Sequence, residues 1–438
     1  VSDTAPAVSG GEATTVSSRW DRPARVFLHI GLPKTGTTYV QRVLWENKAR
    51  LRDNGVLLPG RHRRRHLLAS LDVREDPKLQ RRPGDVSHPW QDLVEEILEW
   101  DGDAEVSHEF FAAASTPQVQ RIVDNLQDRE LHVVVTARAM TELGVSRWQE
   151  DVKNGGTLPV DDYPAREDYD PTDEWGWGSF DLADILERWS AVVPPERIHV
   201  LVVAPGSGAP AELWLRFAEV MGLDGDDYEI PEAPVNTSLG LVEVELLRRV
   251  NAKLEGFSSA MARGRWIRGY LAEGDILPSR REKFRAGDAK RSDLQRRGER
   301  AVQLLRAGGY DVRGDLEALL PPVADGLRHP DEVSAEELLD SATTAIARLL
   351  RDVRTLTRER DELMGRDLGP GPVTGDSDGQ APSTTTSATA SSTGHQGSTQ
   401  ASAAPAEQLE GAPLRTKVRR RLRRLRDRFR TEQSGATT

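Results

Sequence analysis

Apolar residues come in short blocks along the first part of the chain. Arg25–Gly31, Ala104–His108, Leu131–Ala137 and Arg197–Ala204 are runs rich in Val, Ile, Leu and Phe, each five to eight residues long. Runs of that length and composition fit strands buried on both faces. Helical spacing of apolar positions fills the intervals, over Thr37–Asn54, Trp90–Trp100, Pro117–Asp128, Thr141–Lys153, Asp181–Val193 and Ala211–Gly222. The alternation predicts an α/β fold over 23–325: three layers, α/β/α, around a central parallel sheet. Gly155–Gly178, rich in Pro, Asp, Gly and Trp, reads as a loop over the site of such a fold.

Beyond the last strand the pattern turns helical, at Ser238–Leu254 and Lys290–Ala307. Ser334 and Glu337 make a capping box, and from there Leu339, Ala342, Ile346, Leu349, Val353, Leu356 and Leu363 alternate three and four apart, broken by Arg360. Over 334–365 this seam suits a coiled coil that joins copies of the chain, or a helix docked on the core. Residues 1–22 and 366–412 read as disordered. Between 369 and 408, Val373 is the only large apolar residue, so that stretch cannot bury enough surface to fold.

Charge separates the end of the chain from the rest. Of 59 basic and 70 acidic residues, ten and one lie in 413–430, which leaves 49 against 69 elsewhere. Within 413–430, Leu414, Val418, Leu422, Leu425 and Phe429 form one apolar stripe on a helix otherwise filled with Arg and Lys. Such a helix suits an anionic membrane surface and is too short in apolar residues to span one. The alternative is non-specific binding of polyanions, with no specific nucleic acid partner. Residues 431–438 form a tail. No run of 18 apolar residues predicts a transmembrane helix, and Val1–Arg19 lacks the apolar core of a secretory signal. The expected location is the cytoplasm, with peripheral attachment to the inner membrane through 413–430. With no cysteine, disulfides and thiolate chemistry are excluded.

The chemistry concentrates at Val26-Phe-Leu-His-Ile-Gly-Leu-Pro-Lys-Thr-Gly-Thr-Thr38. An apolar strand runs into a turn bounded by Gly31 and Gly36, and a helix starts at once. The amides of Thr35 to Thr38 would point at one spot, an anion site of the kind helix N-termini provide. Thr37 and Thr38 add hydroxyls and Lys34 a movable charge. In a Walker A loop the lysine follows the second glycine. Here Lys34 precedes it, and no hydroxyl and Asp are arranged for Mg²⁺. The loop suits a phosphate whose chemistry needs no metal.

Gly31-Leu-Pro-Lys-Thr-Gly-Thr-Thr38 resembles the 5'-phosphosulfate loop of the PAPS-dependent sulfotransferase superfamily, in which P-K-[ST]-G-T-T recurs. The likeness is to bacterial, actinobacterial-type members, whose features Val235–Gly240 and Gly309–Leu316 also resemble. It covers roughly 23–325 and implies a P-loop-like fold. The cofactor implied is 3'-phosphoadenosine-5'-phosphosulfate (PAPS), with 3',5'-ADP as product. It also implies that Lys34, Thr35, Gly36, Thr37 and Thr38 hold the 5'-phosphosulfate. Family members add an Arg at the end of a later strand and a Ser eight residues on for the 3'-phosphate; Arg138 and Ser146 match. The usual Asp and Pro after that Arg are replaced by Ala139 and Met140. Arg285-Ala-Gly287 is too faint an echo of the late R-K-G element for its role to be carried over.

In the family a His or Glu takes the acceptor's proton and the loop lysine stabilises the leaving phosphate. The strand between the two phosphate motifs ends in Ser107, His108 and Glu109, so the catalytic candidates are Lys34, Glu109 and His108, the last two near equal. The acceptor is unassigned: a hydroxyl or amine of a glycan, a lipid or a small metabolite. His62 and His66 are spaced as a metal pair, but Arg63, Arg64 and Arg65 between them favour a basic loop touching acceptor or nucleotide, and no metal is expected. Trp148 reads as core packing; Trp175 and Trp177 read equally as packing or as an acceptor wall. His29, His132 and His199 read as satisfied core histidines. Two alternatives stay open: an ATP-dependent kinase on a similar loop, and a degenerate, non-enzymatic scaffold at the membrane.

Overall fold

A computed structural model describes residues 22–82, 84–165, 168–204, 210–231, 238–278, 282–320 and 326–364. The segments read as disordered over 1–22 (apart from Arg22) and 366–412, the basic helix 413–430 and the tail 431–438 lie outside the described residues. The described residues fall into two compact units, 22–263 with 282–338, and 264–278 with 339–364.

In chain order the strands are β1 (Arg25–Gly31), β2 (Val56–Leu57), β3 (Asp103–Ser107), β4 (Glu130–Ala137), β5 (Ile198–Val202) and β6 (Asp311–Arg313). The helices before β4 are α1 (Thr37–Glu46), α2 (Lys48–Asp53), α3 (Arg64–Val73), α4 (Pro89–Leu98) and α5 (Thr116–Leu126). After it come α6 (Met140–Lys153), α7 (Leu182–Ser190), α8 (Pro210–Met221), α9 (Leu241–Asn251), the single turn α10 (Ala260–Ala262), α11 (Asp288–Ala307) and α12 (Ala335–Leu363). All strands pair in parallel in the order β2-β3-β1-β4-β5-β6. The chain builds outward from β1 on one side, returns to lay β3 beside it, then crosses to lay β4 on the other. The carboxyl end of β1 is therefore a topological switch point, where open α/β sheets form their ligand crevice.

Strand geometry sends alternate side chains of β1 to opposite layers. Val26, Leu28 and Ile30 join the core under α3, α4, α5, α7 and α11; Phe27 joins the core under α1 and α8. The α1 side is sealed by Tyr39, Val40, Val43 and Leu44, with Trp214 and Phe217 from α8. Burial of each such Val or Leu contributes about 1.5–3 kcal/mol. At the amino end of the strands, Asp103 accepts from Arg22 at 3.0 and 2.7 Å and from the Arg25 guanidinium at 2.7 Å, which pins β1 to β3. This clamp leaves the opposite, carboxyl end for the loops.

The fold departs from the sequence reading in three places. The helix expected over Thr37–Asn54 breaks at Asn47, whose amide nitrogen donates to Val43 O (2.9 Å) and Glu229 O (2.8 Å) and whose Oδ1 accepts from Glu229 N (2.9 Å). Of the basic loop expected at His62–His66, only His62 and Arg63 form a turn; Arg64, Arg65 and His66 begin α3, whose apolar residues Leu68, Ala69 and Leu71 are buried. The strands β2 and β6, two and three residues long, were too short to show as apolar runs.

The helix α12 spans 29 residues, and the capping box at Ser334 is formed, with Glu337 N donating to Ser334 Oγ at 3.2 Å. Among the described residues, no helix is long and apolar enough to cross a membrane.

Candidate active site at the carboxyl ends of the central strands

The loop Leu32–Gly36 joins β1 to α1. Gly31 and Gly36 both adopt φ +95°, and neither position has room for a side chain. A Cβ on Gly31 would lie 2.8 Å from Glu109 Cβ, and one on Gly36 would lie 2.6 Å from Leu213 Cδ2. Lys34 also sits in the left-handed region, at φ +70°, a strained conformation for a side chain of its size. No side chain caps α1, and Tyr39 N and Val40 N both bond back to Gly36 O (3.0 and 3.2 Å). The amides ahead of Tyr39 are thus left for an anion, and Lys34 and Thr38 are exposed beside them while Thr35 and Thr37 are buried.

Under the loop runs a chain of buried polar groups from β3, β1 and β4. Ser107 Oγ lies 2.8 Å from His29 Nδ1, His29 Nε2 3.4 Å from Thr136 Oγ1, and Thr136 Oγ1 2.5 Å from Thr35 Oγ1. Thr35 Oγ1 donates to Leu32 O at 2.5 Å. That carbonyl can only accept, so every proton upstream is assigned. Thr136 donates to Thr35, the Nε2–H of His29 donates to Thr136, and Ser107 donates to Nδ1. The assignment needs a neutral ring, and burial pushes the His29 pKa down to about 4. The reading of His29 as a satisfied core histidine agrees with this.

The turn after β3 carries both base candidates. His108 Nδ1 accepts from Phe110 N at 3.2 Å and lies 3.3 Å from Ser70 Oγ, whose proton goes to Leu67 O (2.7 Å). The neutral ring therefore carries its proton on Nε2 and offers a donor there. Burial, with Arg74 and Arg82 nearby, holds its pKa below the ordinary value against the pull of Glu109. Glu109 is half-buried against Gly31 and accepts from Gln41 Nε2 at 3.2 Å. Burial raises its carboxyl, but His108, its own backbone amide and Gln41 outweigh that, so it is ionised below the usual carboxylate range.

The remaining candidates meet on α6. Arg138, just past β4, donates to Glu142 Oε2 from Nε (2.9 Å) and Nη2 (2.7 Å). Lys34 Nζ donates to Glu150 Oε2 at 3.1 Å. Glu142, Ser146 and Glu150 are four apart, one stripe of the helix. The lysine from the β1 loop and the arginine from the β4 end are thus tied to the two carboxylates that flank Ser146. Sequence reasoning missed Glu150 and Gln41. Spacing was the available signal: Glu150 lies one turn past Ser146, and Gln41 one turn past Thr38 on the exposed face of α1.

Other singled-out residues have structural places. His66 accepts from Ser107 N at Nδ1 (3.1 Å) and bonds Pro59 O through Nε2 (3.0 Å), so both nitrogens are used. Burial lowers its pKa to about 4. Trp148 is buried, donates to Leu158 O (2.8 Å) and meets Phe284 edge-on. Trp177 is buried, stacked on Phe180 at 4.8 Å and with the Arg297 guanidinium 3.7 Å from its ring centre, which favours packing over an acceptor wall. Trp175 stays half-buried under Arg147. The loop around them reaches the base turn, where Tyr169 OH donates to Ala113 O at 2.7 Å. His132 of β4 and His199 of β5 stack, and His199 bonds Asp311 at 2.7 Å. A cavity of about 410 Å³ lies elsewhere, lined by Arg285, Asp288, Arg291 and Arg328, each tied into an ion pair. None of the loop residues lines it.

No model of a known protein family matches the chain, and no curated protein matches it. Among solved structures the chain is similar to a sulfotransferase from Alicyclobacillus acidocaldarius, at 17% identity and a TM-score of 0.34, over 58% of this chain and 98% of that one. At that distance the chemistry has to be read from the residues of this chain.

Proposed function

We propose that the protein is a sulfotransferase that uses PAPS and passes a sulfuryl group to a hydroxyl or amine. PAPS supplies the activated sulfuryl group and a leaving phosphate, with 3',5'-ADP as the other product. One observation carries the reading. Lys34 and Arg138, from adjacent strand ends at the switch point, are anchored to one stripe of α6 on either side of Ser146. That spacing gives a nucleotide two separate anion contacts, one at the α1 amides and one at Arg138 and Ser146. A 3'-phosphate is the group that makes the second contact useful, and ATP has none.

The roles follow from the donor set. The α1 amides and the Thr37 and Thr38 hydroxyls bind the 5'-phosphosulfate. Lys34 turns from Glu150 to the bridging oxygen as negative charge grows there, an effect felt mainly in the transition state. Arg138 offers a bidentate fork to the 3'-phosphate, and Ser146 a hydroxyl. Glu109, ionised at neutral pH and held by Gln41, takes the acceptor proton. His108 presents Nε2–H, so it can donate to the acceptor oxygen and orient it but cannot accept a proton there. This favours Glu109 of the two base candidates.

The test is incubation of the full chain with ³⁵S-labelled PAPS and an extract of glycans, lipids and metabolites. Label should move to an acceptor with wild type and not with Glu109→Gln. Absence of transfer together with absence of 3',5'-ADP binding would overturn the reading.

A further inference from the structure

The helix α12 is turned inside out with respect to an ordinary surface helix. Its polar and small positions are the engaged ones. Ser341 and Ala345 are buried, Asp352 accepts from Tyr270 OH at 3.0 Å, and Arg348 donates to the carbonyls of Asp275 and Leu277 at 3.0 Å each. Its large apolar residues face solvent instead: Leu339 is 64% exposed, Ile346 54%, Val353 57% and Leu356 46%. A helix that buries Ala345 but leaves most of its large apolar residues in solvent keeps that surface for another body.

These exposed residues lie on a heptad that the half-buried Ala342 and Leu349 complete, with Leu350, 64% exposed, beside it. With Leu339 at position a, Ile346, Val353 and Arg360 fall at the following a positions, and Ala342, Leu349, Leu356 and Leu363 at d. More than three heptads are sustained, which is what a stable coiled coil requires. The occupants are β-branched at two a positions and leucine at three d positions, the combination that selects two parallel strands. Arg360 is the one charged residue in the seam. Single polar a residues set register and strand number, and Arg360 donates within its own helix to Asp361 at 2.8 Å. The stripe is its own complement, so a twofold pair of identical chains satisfies it on both sides.

We propose that the protein is a homodimer held by a parallel two-stranded coiled coil of α12, with Ile346, Val353 and Leu356 at the centre of the seam. The apolar stripe of 413–430 is the competing occupant, and the experiment separates the two.

Sedimentation of the full chain at micromolar concentration should give the mass of two copies. A monomer would mean that the stripe is covered from within the chain, and a trimer would mean a different coil; either overturns the proposal. Ile346→Glu and Val353→Glu, each at a solvent-facing position, should leave the fold of one copy intact by circular dichroism. Each should weaken the dimer by at least about a hundredfold, since a buried unpaired charge is so costly. A dimer that survives both changes is held elsewhere. Register is read by Val353→Cys: the chain has no cysteine, so a parallel in-register pair should oxidise to a covalent dimer. A non-covalent dimer that fails to cross-link would rule out the parallel arrangement. None of these readouts depends on sulfuryl transfer.

Discussion

The groups beneath the phosphate loop and those around its rim are stabilised in opposite ways. Beneath it, Ser107, His29, Thr136 and Thr35 are neutral and buried, and each proton has one destination. A network of that kind is satisfied or broken, with little in between. Around the rim, Lys34, Arg138 and Glu109 are charged and at least partly exposed, and each is held by a partner that a ligand can replace: Glu150, Glu142 and Gln41. The difference separates shape from chemistry. The buried chain fixes where the loop sits, and the rim supplies charges that change partner when an anion arrives.

If the comparison is right, changes at the rim should cost activity with the fold intact, and changes beneath should cost stability. The largest effect is expected at Glu109. Glu109→Gln should lower kcat by roughly 10²–10⁴-fold while 3',5'-ADP still binds, as for a lost general base. His108→Ala should cost less, because its ring donates. In wild type the acid limb of kcat should fall below the ordinary carboxylate range, since the Glu109 pKa is depressed. A wild-type limb that vanishes in His108→Ala and persists in Glu109→Gln would return the base to His108.

Next in size is Lys34→Ala, with an expected loss of about 10²–10³-fold in kcat and a smaller change in nucleotide affinity. Near-normal turnover with a natural acceptor would sink the leaving-group role. Arg138→Ala should do the reverse, weakening 3',5'-ADP by about 10- to 100-fold in a calorimetric titration, the worth of a charge-assisted contact. An unchanged affinity would remove Arg138 from the 3'-phosphate site.

The smallest effects concern the layer beneath. Thr136→Val leaves His29 Nε2–H without an acceptor and should cost about 1–3 kcal/mol of stability. It should alter nucleotide binding little once folded. Melting against pH tests the neutral rings. His29 and His66, held at about 4, are neutral when folded and protonated when unfolded between that value and 6.5. Their contribution is full above pH 6.5 and lost as pH falls towards 4, on the order of 3 kcal/mol for each ring. A flat melting temperature over that window would mean that the rings are not held neutral. Glu105 runs the other way. Burial raises its pKa well above the ordinary value and its oxygens find no hydrogen-bond partner among the described residues, so it costs stability as pH rises above the unfolded carboxyl value.

How much of this was legible in the sequence depends on whether the signal is local. The strand Arg25–Gly31 and the loop after it were readable because the apolar run and the two glycines stand side by side. Arg138 and Ser146 were readable because a strand end and the next helix lie in one short stretch. Glu150 and Gln41 were not singled out, since their value comes from Lys34 and Glu109, more than sixty residues away in the chain. The arginines of 61–65 hid α3, although Leu67, Leu68 and Leu71 carry a helical period. The seam of α12 was legible as a period, but which side of the helix is engaged came only from the contacts of Arg348 and Asp352.

The central claim is that the rim reads a nucleotide with both a 5'- and a 3'-phosphate, and thermal melting with two ligands tests it most directly. A ligand bound only by the folded state stabilises it by about 2.7 kcal/mol at a hundred times its Kd. 3',5'-ADP at saturating concentration should raise the Tm by several degrees, and ATP with Mg²⁺ should leave it unchanged. Equal shifts with both nucleotides, or none with either, would contradict the account.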